Sequence, residues 1–182
     1  PSEHARTVAA DTFGMKAMWQ VPQAFDWAIY RPEETNRVAM MRMPTRQELR
    51  SMTWQAIAGG ANGLIYYAFH PIFDKAGKDF EEYWQRVKTV VREVKRFEPW
   101  LLGEGEAPGW SSDRPTTQLP VRLFVKDGRV FALVVNATAE ELRGTLRLDR
   151  AFASAEISFG EGSVSLFGDS LAVRLPAWGM LW

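Results

Sequence analysis

Two extended apolar runs with a sharply bounded helix between them limit this fold more than any other feature. The runs are residues 17–25 and 64–69. The first ends near Pro22, which cannot donate a ladder hydrogen bond. The second, Leu64-Ile65-Tyr66-Tyr67-Ala68-Phe69, is nearly continuous and suits a strand buried on both faces of a parallel sheet. Between them Thr45 and Glu48 stand at capping-box spacing, Pro44 fixes the entry, and Leu49, Met52, Thr53, Ala56 and Ile57 recur on one helical face. Gly59 and Gly60 end it. Strands separated by a helix call for a parallel crossover, right-handed by rule.

The flanks extend the alternation. Residues 2–13 read as a short helix with Gly14 as its stop, and residues 26–43 as irregular chain. A loop over 70–78 leads to a second capping box, Asp79 with Glu82. A wide apolar stripe then runs from Phe80 to Phe97, and Pro99 marks the stop. Residues 103–118 hold three Gly, two Pro and a Ser-Ser-Asp run, a linker or surface loop.

Beyond residue 118 the pattern changes to short strands. Residues 121–126 and 129–136 flank Asp127 and Gly128, a strong signal for a type I′ hairpin. Further strands are expected over 142–148, 155–159, 164–167, 171–175 and 178–182, with a tight turn at Gly168 and Asp169. Phe131, Leu133 and Val135 alternate like a core face. The simplest arrangement is a small antiparallel β-sandwich over 119–182.

Composition narrows the function. Lys plus Arg and Asp plus Glu are 22 each among 182 residues, so no basic excess exists to bind a phosphate backbone and no nucleic-acid partner is expected. No apolar run reaches the roughly 20 residues of a membrane helix, and no stretch reads as a secretory signal. A soluble chain without a membrane partner is expected, its compartment unspecified. Absence of Cys excludes zinc-thiolate chemistry and a cysteine nucleophile. His4 and His70 lack metal-ligand spacing, and neither a phosphate loop nor a nucleophile elbow occurs. No metal and no cofactor are expected. Asn136-Ala137-Thr138 matches a glycosylation sequon, which a turn role explains equally.

The stretches Trp19-Gln20-Val21-Pro22-Gln23-Ala24-Phe25, Arg42-Met43-Pro44-Thr45 with Glu48-Leu49-Arg50, Gly59-Gly60-Ala61-Asn62-Gly63 and Tyr66-Tyr67 together resemble the last two β/α units of TIM-barrel glycoside hydrolases. The tail resembles the small β-sandwich that often follows such barrels: Val130 to Asn136 resembles its early strand ending in Asn, and Leu175-Pro176-Ala177-Trp178-Gly179 its closing proline-glycine strand. The resemblance implies a partial (β/α) barrel segment over 1–102, a linker over 103–118 and an antiparallel β-sandwich over 119–182. A full barrel takes roughly 250 residues, and six strands are unaccounted for here. With the opening Pro1, this makes the chain the expected C-terminal part of a longer hydrolase. The alternative is a complete small α/β protein with a β appendix.

Glycoside hydrolysis uses two carboxyl groups, which in a TIM barrel project from strand carboxyl ends. Many retaining barrel glycosidases carry a nucleophilic Glu on the seventh strand; the resembling position here is Gln23, whose amide can bond a sugar hydroxyl but cannot attack an anomeric carbon. The catalytic pair is therefore expected outside this chain, and the isolated segment is expected to be catalytically silent. Asp26 is the carboxylate best placed for a site role, its ordinary reading being a turn cap. Gln23, Trp27, Tyr67 and His70 are the expected substrate-rim residues. Tyr66 and Tyr67 point to opposite sides, and the sequence does not say which faces inward. Arg42 is expected to pair with a rim acid or in a surface ion pair. The expected partners are a carbohydrate substrate and either a second copy or the missing barrel portion. The competing reading is a non-catalytic carbohydrate-binding or structural module. On that reading Phe131, Phe152, Phe159 and Phe167 would face water in a row if the sandwich bound sugar.

Overall fold

In the computed structural model, residues 7, 10–11, 17–30, 42–76, 79–103 and 105–182 are described. The chain is a mixed α/β fold, rich in β-structure and mostly antiparallel. Strands β1 (Trp19–Gln20) and β2 (Gly63–Leu64) form a parallel pair. Helix α1 (Arg46–Ala58) lies between β1 and β2, and helices α2 (Phe69–Ala76) and α3 (Phe80–Leu101) follow β2. Strands β3 (Trp110–Ser112), β6 (Leu142–Leu148), β8 (Ser170–Leu175) and β7 (Ser163–Phe167) make a four-stranded sheet in that order. Strands β4 (Val121–Lys126), β5 (Arg129–Val135) and β9 (Met180–Leu181) make a three-stranded one.

The parallel pair is longer than its regular core. Ile65 N–H donates to the Gln20 carbonyl at 3.0 Å, Tyr67 N–H to Pro22 O at 3.1 Å, and Ala24 N–H to Tyr67 O at 2.7 Å. Pro22 thus serves through its carbonyl alone, and pairing continues past it. Even-numbered residues of this segment, Met18, Pro22 and Ala24, are buried on the helix side. The opposite face is open: Trp19 is 61% exposed, Val21 56%, Ile65 47% and Tyr67 47%, while Phe69 begins α2 and packs edge-on against Phe80 and Trp84. This corrects the expectation of a strand over 64–69 buried on both faces. Among the described residues no further strand pairs with either edge, and no layer covers the outer face.

The helix α1 forms as its caps dictate. Thr45 is extended (φ −64°, ψ 163°), its hydroxyl accepts from Glu48 N–H at 3.2 Å, and Glu48 Oε2 accepts from Thr45 N–H at 2.8 Å. The same box does not form at Asp79. Its backbone is turned (φ −91°, ψ 1°) instead of extended, so the carboxylate makes no cap hydrogen bond, and Glu82 pairs with Arg86 instead. Nor does Pro99 stop α3, which runs to Leu101. Pro99 lies in the last turn, and the end is closed by Leu102 N–H to Glu98 O (3.1 Å) and Gly103 N–H to Trp100 O (3.0 Å). Residues 70–76, expected as loop, are helical. Buried Ile72 anchors α2, and Pro71 falls in its first turn, where a missing N–H costs nothing. Of the helix expected over 2–13, only Thr7, Ala10 and Asp11 lie among the described residues, and all three are helical. Trp27–Tyr30 forms a 3-10 turn in the segment expected to be irregular, of which 31–41 lies outside the described residues.

The β4–β5 hairpin closes through Asp127 (φ 51°) and Gly128 (φ 72°), as a type I′ turn requires, with Lys126 opposite Arg129. The β7–β8 hairpin turns at Gly168 (φ 65°). Residues 155–159 are not a strand. Ser158 N–H donates to Trp182 O (2.7 Å) and Trp182 N–H to Phe159 O (2.9 Å), so the segment adheres to the end of the three-stranded sheet without regular pairing. Trp110–Ser112, inside the stretch read as linker, is an edge strand paired with β6.

The three-stranded sheet is covered on both faces. Val121, Leu123 and Val134 meet Leu142, Leu146, Leu171, Val173 and Leu175 of the four-stranded sheet. Phe124, Leu133, Val135, Met180 and Trp182 meet Trp54 and Ile57 of α1 and Phe97 of α3. The core-face alternation of Phe131, Leu133 and Val135 therefore points at helices, while the alternate residues Val130, Ala132 and Val134 face the other sheet. A third cluster of Ala24, Phe25, Leu49, Ile72, Val87 and Val90 lies among the first strand segment and all three helices. Trp54, fully buried, touches both Phe97 (5.8 Å between ring centroids) and Trp182 (5.5 Å). Trp54→Ala is expected to lower unfolding stability by about 3–5 kcal/mol, read as a reduced urea midpoint; a change below about 1 kcal/mol would show that this junction does not hold the helices to the sheet.

Candidate functional site

Three of the four expected rim residues come together where the parallel pair ends. Gln23 is bridged to Tyr67 across the pair. Phe25, fully buried, is the shared wall: its ring lies 4.8 Å from that of Trp27 and 5.3 Å, edge-on, from that of Tyr67. Trp27 and Tyr67 remain about half exposed, so both present ring surface to solvent. The Gln23 amide N–H donates to Phe25 O at 2.8 Å, which fixes the side chain at the strand end. Tyr66 points the other way. Its hydroxyl pairs with Thr53 Oγ1 at 2.9 Å among the helices, and burial pushes its pKa up to about 12. The ambiguity between the two tyrosines is thus resolved in favour of Tyr67 on the open face.

His70 sits in the first turn of α2, exposed, and not in the loop expected for it. Asp26 Oδ1 accepts the Ala28 N–H at 2.8 Å and so caps the 3-10 turn of residues 27–30, the ordinary reading of that carboxylate. Among the described residues no group of three His, Cys, Asp or Glu stands close enough to hold a metal ion. No described helix is long and apolar enough to cross a membrane.

Gln23 and Trp27 also line a cavity of about 420 Å³. Its floor is the polar side of α1, where Glu48, Ser51 and Gln55 follow at helical spacing with Met52 beside them. Arg42 and Pro44 contribute from the helix entry, and Trp178 from the turn between β8 and β9. Arg42 grips Glu48 with two parallel bonds, Nη1 to Oε2 at 2.7 Å and Nη2 to Oε1 at 2.6 Å. That pairing, with the Thr45 bonds, holds the Glu48 carboxyl at about 2, well below its ordinary 4.5. The two charges cancel within the wall. What remains is neutral and polar: the Gln23 amide, the Ser51 hydroxyl and the Gln55 amide, whose Nε2 donates to Ser51 Oγ at 3.0 Å.

The sequence pointed to Gln23 and Trp27 but not to Ser51, Gln55 or Trp178. Ser51 and Gln55 lie four apart on a helix and are both buried, a pairing that only the three-dimensional cover over α1 reveals. Trp178 carries a signal in hindsight, an aromatic between Pro176 and Gly179, although the segment was expected to be strand. Comparison of the chain with protein-family models, with curated proteins and with solved structures gives no match.

Glu48 has a pKa lower in the folded chain than in the unfolded one, so the folded state binds fewer protons. Its contribution is fully present above about pH 5 and is lost as pH falls through about 2. Glu48→Ala is expected to reduce stability at pH 7 by about 1 kcal/mol and to flatten the loss of stability on the acid side. Parallel urea titrations at pH 7, 4 and 3 check this; equal acid slopes for the two proteins would exclude the assigned role.

Proposed function

We propose that the chain is the C-terminal part of a glycoside hydrolase, a partial (β/α) barrel segment with an antiparallel β-sandwich, acting on glycosidic bonds only together with further barrel strands. On this reading residues 1–102 belong to the barrel, residues 103–118 lead out of it and residues 119–182 buttress it. The chain itself supplies part of the sugar-binding rim through Gln23, Trp27 and Tyr67.

One observation carries the reading. The parallel pair exposes Trp19, Val21, Ile65 and Tyr67 on one face while α1 covers the other. A parallel sheet with helices on one side ordinarily buries its second face as well, and two strands alone leave two unpaired edges. Closure of a barrel by neighbouring strands would satisfy both. The rim chemistry agrees: half-exposed aromatic rings beside a fixed amide at strand carboxyl ends suit sugar C–H faces and hydroxyls. The two catalytic carboxylates would then stand on those neighbouring strands, Asp26 being engaged in its own turn.

A sandwich that bound sugar by itself would show a row of outward aromatics. Phe131 and Phe159 pack instead against the helix-facing core, and only Phe167, 70% exposed, stands out.

The 182-residue chain is expected to self-associate in size-exclusion chromatography with light scattering, to bind a hydrophobic dye, and to leave aryl glycosides untouched. Joined to the complementary strands of a (β/α) barrel, it is expected to become monodisperse and active. A monodisperse monomer with no dye binding, or glycosidase activity of the 182 residues alone, would refute the proposal.

A further inference from the structure

The cavity beside the rim has a wall that the barrel reading does not require. Trp178 comes from the turn after β8, in the part of the chain read as a supporting sandwich, yet it lines the same cavity as Gln23 and Trp27. Its backbone is left-handed (φ 56°), a conformation that costs a bulky residue of order 1–3 kcal/mol and persists only where surroundings enforce it.

The surroundings enforce it through a dense set of bonds. Asn136, fully buried, donates from Nδ2 to Pro176 O (2.8 Å), Leu175 O (3.4 Å) and Glu140 O (2.7 Å). Its backbone N–H reaches Gly179 O at 2.8 Å. Trp178 N–H donates to Thr138 O at 3.1 Å, and Gln47 of α1 holds Ala177 O at 2.9 Å. The turn is therefore pinned at both ends and tied to the helix that floors the cavity. Gly179 leaves no room for a side chain, since a Cβ there would fall 2.8 Å from the Pro176 ring. The remaining freedom of the segment is spent on the position of one indole.

We propose that Trp178 is a ligand-contacting residue, and that the cavity it lines with Gln23 and Trp27 takes an uncharged sugar ring. This rests on the glycoside hydrolase reading and deepens it, making the site a joint product of the strand end, α1 and the β8–β9 turn. The ligand class follows from the lining. Arg42 and Glu48 neutralise one another, so neither a phosphate nor a carboxylate finds an unpaired cation among the described lining residues. Ser51, Gln55 and Gln23 offer neutral donors and acceptors for hydroxyl groups. Two tryptophans offer apolar faces for C–H groups.

The test uses the full 182-residue chain, titrated with glucose, galactose, mannose and xylose, and with glucose 6-phosphate and glucuronate as charged counterparts. Ligand-observed NMR and calorimetry read the binding. Trp178→Gly suits the purpose because glycine adopts the positive φ without strain, so the turn survives while the ring is lost. At least one neutral sugar is expected to bind the wild type, with the charged counterparts weaker. Trp178→Gly is expected to lose roughly tenfold in affinity, at an unchanged or raised urea midpoint. Phe167→Ser, at an exposed aromatic of the sandwich outside the cavity, is expected to bind as the wild type does. Sugar binding that survives intact in Trp178→Gly would overturn this inference and leave the hydrolase reading standing. Absence of neutral-sugar binding, or preference for the charged sugars, would overturn it through the ligand class, while the barrel-closure experiment would decide the hydrolase reading separately.

Discussion

Trp182 is the point on which the packing converges. Its ring stacks on Phe97 at 4.8 Å with an interplanar angle of 4°, meets Trp54 edge-on, and stacks on Phe124 at 5.4 Å. One side chain thereby touches α3, α1 and β4. The indole N–H has no acceptor among the described residues, which costs about 1–3 kcal/mol. Burial of roughly 150–250 Å² of aromatic surface contributes about 4–6 kcal/mol in return. The apolar term wins, and the position is held by packing instead of hydrogen bonding. Two arginines then lock what the rings bring together. Arg122 of β4 donates to Ile57 O (3.0 Å) and Ala61 O (3.4 Å) at the carbonyl end of α1, where the helix dipole favours a cation. Arg50 of α1 meets Glu93 of α3 at 2.6 Å, and Glu93 also accepts the Trp54 indole N–H at 2.7 Å.

The candidate site inherits its geometry from this junction. Helix α1 is buried nearly all round, with the three-stranded sheet on one side and the parallel pair on another. It therefore cannot rotate or slide without breaking both contacts. Ser51, Gln55 and Glu48 on its remaining side are fixed relative to Gln23 on the strand and Trp178 on the turn. Polar residues can line this helix because three of them find a partner within one turn, while Gln47 and Arg50 reach Ala177 O and Glu93. Thr53 bonds Leu49 O at 2.8 Å, Gln55 bonds Ser51, and Glu48 serves its own N-terminus.

What the sequence reveals here is local chemistry with a short reach. The Thr45–Glu48 box and the Asp127–Gly128 hairpin were legible because each closes within four residues and depends on backbone angles those residues prefer. Asp79 has the same spelling as Thr45 but enters its helix from a turned backbone, and spacing alone does not carry that information. Pro99 reads as a stop, yet it forgoes only its own bond to the carbonyl four residues back, and α3 closes two residues later. The alternation in residues 130–135 announced a half-buried strand; the strand is covered twice, because helices pack on the face that a lone sandwich would leave to water. Of the site, Gln23, Trp27 and Tyr67 were visible as polar and aromatic residues at strand ends. Trp178 was not, because its approach depends on Asn136, some 40 residues earlier in the chain, and on a helix contact through Gln47.

The two sheet systems of the chain respond differently to the same physical demand. In the antiparallel part the buried Leu, Val and Phe side chains of both sheets find a second layer, and the exception, Phe167, lies exposed on the outer strand β7. In the parallel part the helix side is filled to the same standard, with Met18 packed on Ala56 and Ala61, while the opposite side offers a row of large apolar groups to water. Composition cannot account for the contrast, since both parts carry ordinary core residues. Topology can. Antiparallel hairpins bring their own partners within a few residues, whereas a parallel strand needs a crossover of a dozen or more residues for each neighbour. A parallel segment with only two strands is thus the element that most requires further chain to complete it. For the same reason the proposed rim, which sits at the carboxyl ends of those two strands, would gain further walls from any strands that paired with their open edges.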